Sequence, residues 1–318
     1  MREVAQALRA APRILMSLHQ EPDGDSIGST LAVALGLRRL GHEVMVATPG
    51  PIPRAYDFMP GVDTVVPWAS VPEGLFDLVA LYDCADERRA GAPRPIRSYG
   101  PKVLNVDHHA TNDRFGDIVF VEPLAAASAE LAYRTLEELG VTVDRDLAML
   151  LYVGLETDTG GFRYATTTPA SLRLAARLLE AGLDPGEISQ FVYERQPVGG
   201  LKLLGVALDS LTVRADLGLA YFMLCDEDFK RTGTTVPDAE TIGIVDYARR
   251  LDGVEVAALL RSDGQGNVKF SLRSKGRVNV STLAARLGGG GHERAAGATI
   301  AADLPTAEAA LLRLVAEA

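Results

Sequence analysis

Lys102-Val103-Leu104-Asn105-Val106-Asp107-His108-His109 is a short apolar run that breaks off on an aspartate and two adjacent histidines. Its branched residues suit a pleated, buried strand, Lys102 to Val106. Its end reads as a site, because the chain has only five histidines and two stand here side by side. Working outward, comparable strand-like runs occupy Arg13 to Leu18, Glu43 to Thr48, Phe76 to Tyr82 and Ile118 to Val121. Helical spacing appears at Ser26 to Leu40, Ala126 to Leu139 and Asp144 to Thr157. Strands alternating with helices predict an α/β domain on a mainly parallel sheet with helices on both faces. In such sheets ligands bind beyond the carboxyl ends of the strands.

Three further acidic clusters fall at element ends: His19-Gln20-Glu21-Pro22-Asp23-Gly24-Asp25, Asp83-Cys84-Ala85-Asp86, and Asp158-Thr159-Gly160. Aspartate together with histidine suits Mn²⁺, Zn²⁺ or Fe²⁺, whereas Mg²⁺ tends to avoid imidazole. A pair of ions about 4 Å apart needs a bridging carboxylate, terminal ligands and open positions for water and substrate oxygens. His19, Asp23, Asp25, Asp83, His108 and Asp158 can supply such a set. Taken singly, each residue has a plainer reading. Asp23 can cap a helix, Asp83 and Asp86 can cap a turn, and Asp158 can end a helix. The histidine pair can be an exposed loop. Four clusters along one edge of one sheet favour a metal site jointly.

At 318 residues the chain is too long for one ordinary core, which predicts two domains. Residues 1–195 form the α/β domain, 196–211 a connecting helix after Gln196-Pro197-Val198-Gly199-Gly200, and 212–318 a smaller α+β domain. In the last segment, Leu211 to Val213 with Leu219 to Leu224, and Val254 to Arg261 with Asn267 to Arg273, read as hairpins. Helices are expected at Asp238 to Arg250, Val280 to Leu287 and Thr306 to Ala316. Gly288-Gly289-Gly290-Gly291-His292 lies between the last two. Those glycines would let backbone N–H groups approach an anion closely. His292 adds a donor, and Arg273, with Ser271 and Ser274 nearby, a phosphate clamp.

A net charge of −10 argues against sequence-independent binding of long nucleic acid, which needs many phosphate contacts. It leaves room for a small anion, because bound cations reverse a local field. No apolar run is long enough to span a bilayer and the N-terminus lacks a signal-peptide core, so a cytoplasmic protein with no membrane contact is expected. Cys84 and Cys225 are too far apart in sequence to suggest a disulfide framework, and Cys84 among acids is expected to be a buried neutral thiol.

With these residues in view, the chain resembles the DHH phosphoesterase superfamily, in its DHHA1 branch. His19-x3-Asp23-x-Asp25 is similar to the first motif, Asp83 to the second, Asp107-His108-His109 to the signature and Asp158 to the fourth. Gly288 to His292 resembles the GGGH element, and Ser271-Leu272-Arg273-Ser274 the strand before it. The resemblance implies two Mn²⁺ ions, with Mg²⁺ or Co²⁺ as substitutes. His19, Asp23 and Asp83 would hold one ion, and Asp25, Asp83, His108 and Asp158 the other, with Asp83 bridging. Asp107 would orient a histidine and His109 would face the substrate phosphate, making Asp83, Asp107 and His109 the catalytic residues. Arg273, Ser274, Gly289, Gly290, Gly291 and His292 would bind substrate.

The two-domain length resembles the NrnA-type nano-RNases. That implies hydrolysis of short single-stranded oligonucleotides and of 3′-phosphoadenosine 5′-phosphate (pAp), with no long duplex as partner and room for a homodimer. A cyclic-di-AMP or pApA phosphodiesterase is the near alternative. A catalytically silent nucleotide sensor is the alternative from another class, disfavoured by the intact ligand set.

Overall fold

A computed structural model describes residues 1–235 and 242–318, which form two compact units, Met1–Glu194 and Arg195–Ala318. The first is built on six parallel strands: β1 (Arg13–Ser17), β2 (Glu43–Thr48), β3 (Val65–Pro67), β4 (Leu78–Tyr82), β5 (Val103–Asp107) and β6 (Ile118–Val121). Their order is β3-β2-β1-β4-β5-β6. All five strands expected from sequence are present within a residue or two, and β3 is additional. The opening stretch is β5, buried along its length as a central strand should be.

Along the strands, side chains alternate between two cores. Ile14, Met16, Leu78, Ala80, Leu104 and Val106 face α1 (Arg2–Ala10), α2 (Gly24–Arg39), α3 (Ser128–Leu139) and α4 (Arg145–Asp158). Leu15, Val79, Leu81 and Val103 face the other way, where Trp68, Ile96 and Tyr99 on short 3₁₀ turns cover the sheet. The helices α5 (Pro169–Leu179), capped by Thr168, and α6 (Pro185–Tyr193), capped by Asp184, finish this unit.

One close approach matters for the site. A Cβ on Gly28 would sit 2.2 Å from the carbonyl oxygen of Leu150, so only glycine lets α2 and α4 cross this tightly. The crossing brings the first turn of α2 to the last turn of α4.

The second unit has its own six-stranded sheet, ordered β11-β12-β10-β9-β8-β7. The strands are β7 (Thr212–Arg214), β8 (Leu219–Leu224), β9 (Val256–Ser262), β10 (Asn267–Ser274), β11 (Gly290–His292) and β12 (Ala295–Ala301). Both expected hairpins form, while β8 and β9 pair in parallel. Helices α7 (Val198–Asp209), α8 (Asp226–Thr232) and α9 (Ile244–Arg249) share a core with one face. Helices α10 (Val280–Arg286) and α11 (Leu304–Ala316) pack on the other. The helix expected from Asp238 is observed as α9, and residues 236–241 lie outside the described residues. A helix does occupy the stretch expected to connect the domains, α7, but it lies within the second unit and shares its core; it starts at Val198, behind Pro197, which has no N–H to leave unpaired there.

Part of the glycine run is a strand. Gly290 to His292 pair antiparallel with Gly297 to Ala295. A Cβ on Gly289 would meet the carbonyl oxygen of Gly297 at 2.1 Å, so that glycine is required by backbone packed on backbone. The alanine-rich partner, β12, carries no periodicity that would announce this pairing in the sequence.

Candidate metal centre

The strand order of the first unit reverses between β1 and β4, and at such a point the loops beyond the strand ends diverge and leave a crevice. His19 follows β1 by two residues, Asp83 follows β4 directly, and Asp107 closes β5 ahead of His108 and His109. Asp23 caps α2 by accepting from the Ser26 N–H at 2.9 Å, and Asp25 sits in the first turn. Asp158 is the last residue of α4, carried in by the Gly28 crossing.

These residues fall into groups whose ligand atoms lie within 4.8 Å of one another: His19, Asp23 and Asp83 in one, Asp25, Asp83 and His108 in another. Asp83 belongs to both. Its carboxylate lies 3.4 Å from His19 Nε2 and 3.6 Å from His108 Nε2. Asp158 joins the second group, 3.4 Å from the same His108 nitrogen. Asp83 takes a left-handed backbone conformation, φ 59°, which a non-glycine residue adopts at a cost, and such strain gathers at functional sites.

Backbone carbonyls fix both imidazoles. His19 Nδ1 donates to Gln20 O at 2.8 Å and His108 Nδ1 to Ala125 O at 3.1 Å, because a carbonyl only accepts. Each ring therefore turns Nε2 toward the carboxylates, the tautomer a metal ligand needs. Asp107 groups with Asp83 and His109, but its oxygens are engaged otherwise. Oδ1 accepts from the His108 N–H and His109 Nδ1, both at 2.8 Å, and Oδ2 from Asn112 Nδ2 at 2.6 Å. Asp107 thus orients its neighbours.

Ser128 escaped sequence reasoning. At the start of α3 its N–H and that of Ala129 donate to the Asp25 carboxylate at 2.6 and 2.8 Å, and its hydroxyl donates to Asp83 at 3.0 Å. A helix N-terminus favours negative charge, so α3 helps hold the carboxylates in place. Asn112 escaped too, and Asp107-x4-Asn112 offers no spacing that would flag it.

Carboxylates outnumber the cations in the cluster. Burial, then Asp83 and Asp158, keep the Asp25 carboxyl well above the ordinary carboxylate range. Burial pushes Asp158 up to about 6 against the pull of His108. Burial and Arg89 oppose protonation of His19, yet Asp23 and Asp83 outweigh them and hold it up to about 9. Buried carboxylates packed together, beside two oriented imidazoles, are a donor set that fits divalent ions.

Cys84 is buried and its thiol is pushed up, first by burial, as an inert neutral group. On the second unit, Arg273 lies on the half-buried face of β10, whereas Ser274 is enclosed on its core face with no partner for its Oγ. Gly290, Gly291 and His292 line β11, and Gly289 precedes it. No described helix is long and apolar enough to cross a membrane.

Family models place the N-terminal domain of the DHH family on residues 13–155 and the DHHA1 domain on residues 230–318. The chain is 36% identical to the bifunctional oligoribonuclease and PAP phosphatase NrnA of Thermus thermophilus, covering 100% of this chain and 94% of that protein. It is 28% identical to the Bacillus subtilis protein of the same description, over 94% and 92% of the two chains. Among solved structures, an exopolyphosphatase-related protein from Bacteroides fragilis superposes with a TM-score of 0.87 at 26% identity, covering 99% and 95%.

Proposed function

The chain belongs to the NrnA-type branch of the DHH/DHHA1 proteins, and from that premise we propose that it is a hydrolase of phosphoester bonds. It releases mononucleotides from short oligonucleotides and dephosphorylates pAp to AMP. The observation that carries this reading is the position of Asp83 in both ligand groups, in a chain that matches an oligoribonuclease and pAp phosphatase end to end.

We assign one Mn²⁺ to His19, Asp23 and Asp83, and a second to Asp25, Asp83, His108 and Asp158. Such ions supply an activated water and neutralise charge on the phosphoryl oxygens. The protein residues do the rest. Asp107 holds the His109 ring through Nδ1, which fixes the tautomer and orientation in which that ring would meet a substrate oxygen. Ser128 and Ala129 fix the Asp25 carboxylate, and Ser128 fixes that of Asp83, which limits reorganisation when substrate binds. Arg273, Gly289 to Gly291 and His292 are the residues of the second unit assigned to substrate.

Incubating the Mn²⁺-loaded protein with pAp, pApA, cyclic-di-AMP and labelled oligonucleotides from dimers to long strands tests the reading. It predicts AMP from pAp and mononucleotides from the shortest strands, with Arg273→Ala and His292→Ala raising KM. Fastest turnover of cyclic-di-AMP would favour the phosphodiesterase alternative, and tight binding without product would favour a sensor.

A further inference from the structure

We propose that Arg89 binds a phosphoryl oxygen of the substrate, a role that rests on the phosphoesterase reading and adds a residue outside every motif quoted above. Arg89 lies on a 3₁₀ turn, Glu87–Ala90, immediately after the Asp83 cluster. Asp86 caps that turn by accepting from the N–H groups of Arg88 at 2.9 Å and Arg89 at 3.2 Å. The Arg89 carbonyl accepts from the Gln20 N–H at 2.6 Å, and the Gln20 carbonyl in turn accepts from His19 Nδ1. Next along the chain, the Ala90 carbonyl accepts from Trp68 Nε1 at 2.8 Å. The turn is therefore pinned to the loop that carries the first ligand histidine.

The two arginines of the turn differ in one respect. Arg88 is 88% exposed at its side chain and pairs with Asp86. Arg89 is half-buried, its Nε is enclosed without a hydrogen-bond partner, and no carboxylate among the described residues pairs with its guanidinium. Its charge reaches the metal ligands, opposing protonation of His19 and favouring ionised Asp23.

A guanidinium does not shed its proton at any ordinary pH, and with Nε closed off from solvent its terminal nitrogens are the ones left to meet a ligand. Once the neighbouring carboxylates are neutralised by cations, a further positive charge beside them is repelled unless an anion arrives. The planar fork of arginine matches two oxygens of a phosphoryl group, which is the anion this reaction brings. Arg89 would thus act as the site's own sensor of a charged phosphoryl group.

The test uses the full chain loaded with Mn²⁺ and titrated with inorganic phosphate, beside a separate titration with Mn²⁺ alone. Arg89→Gln is expected to weaken phosphate binding about 10- to 100-fold, the loss of a charged hydrogen bond, while Mn²⁺ affinity holds or rises. Arg89→Lys keeps the charge and should recover part of the phosphate affinity, which guards against a variant that simply misfolds. Unchanged phosphate affinity in Arg89→Gln overturns the proposal, as does a parallel loss of Mn²⁺ and phosphate in both variants. Because phosphate itself is the probe, the result stands even if pAp and short oligonucleotides prove not to be substrates, which would overturn only the functional reading.

Discussion

Asp107 Oδ1 accepts the Nδ1–H of His109 at 2.8 Å while accepting the His108 backbone N–H at the same distance. One carboxylate oxygen thereby sets both the ring of one histidine and the backbone of the other. Asp107→Asn offers an amide that must choose between donor and acceptor, so the His109 tautomer is no longer fixed. Turnover is expected to fall about 10- to 100-fold, as for other residues that orient ligands, with metal stoichiometry retained. Steady-state rates beside a metal count check this.

Metal binding should release protons. In the metal-free protein His19 is held up to about 9 and Asp158 up to about 6, with His108 and Asp25 also raised. A ligand must be deprotonated to coordinate, so each group that is protonated at a given pH gives up its proton on binding. Affinity for Mn²⁺ should therefore rise with pH from about 6 toward 9 and flatten above the His19 value. Calorimetry at pH 7 in buffers of different ionisation enthalpy should show net proton release; identical heats in all buffers would refute it.

The α2–α4 crossing should be intolerant of a single methyl group. Gly28→Ala places a Cβ against a backbone carbonyl, which cannot rotate away. We expect about 1–3 kcal/mol of destabilisation from overpacking. Activity should fall beyond what stability explains, because the crossing sets the distance between Asp25 and Asp158. Denaturant midpoints paired with rates on the folded fraction decide it.

The clustered aspartates and histidines were legible in sequence because each stands at the end of an element that local pattern reveals. His19, Asp83 and Asp107 to His109 terminate strands whose apolar runs are unmistakable. What supports them was not legible. Ser128 reaches Asp25 across 103 residues, and nothing local in Ala125 to Ser128 announces a donor. The strand in the glycine run was not legible either, because its partner, β12, is alanine-rich and carries no strand signal. Arg89 was invisible for a related reason: its significance lies in a pairing partner it lacks, which only the fold exposes.

The central claim is that Asp83 ties two metal sites together. The most direct test is metal content by mass spectrometry on Asp83→Asn and the parent protein, each saturated with Mn²⁺ and desalted, with pAp hydrolysis measured on the same samples. The account predicts two ions per chain in the parent, fewer in Asp83→Asn, and turnover in the variant reduced by a factor on the order of 10³ or more. Two retained ions and parental turnover in Asp83→Asn would contradict it.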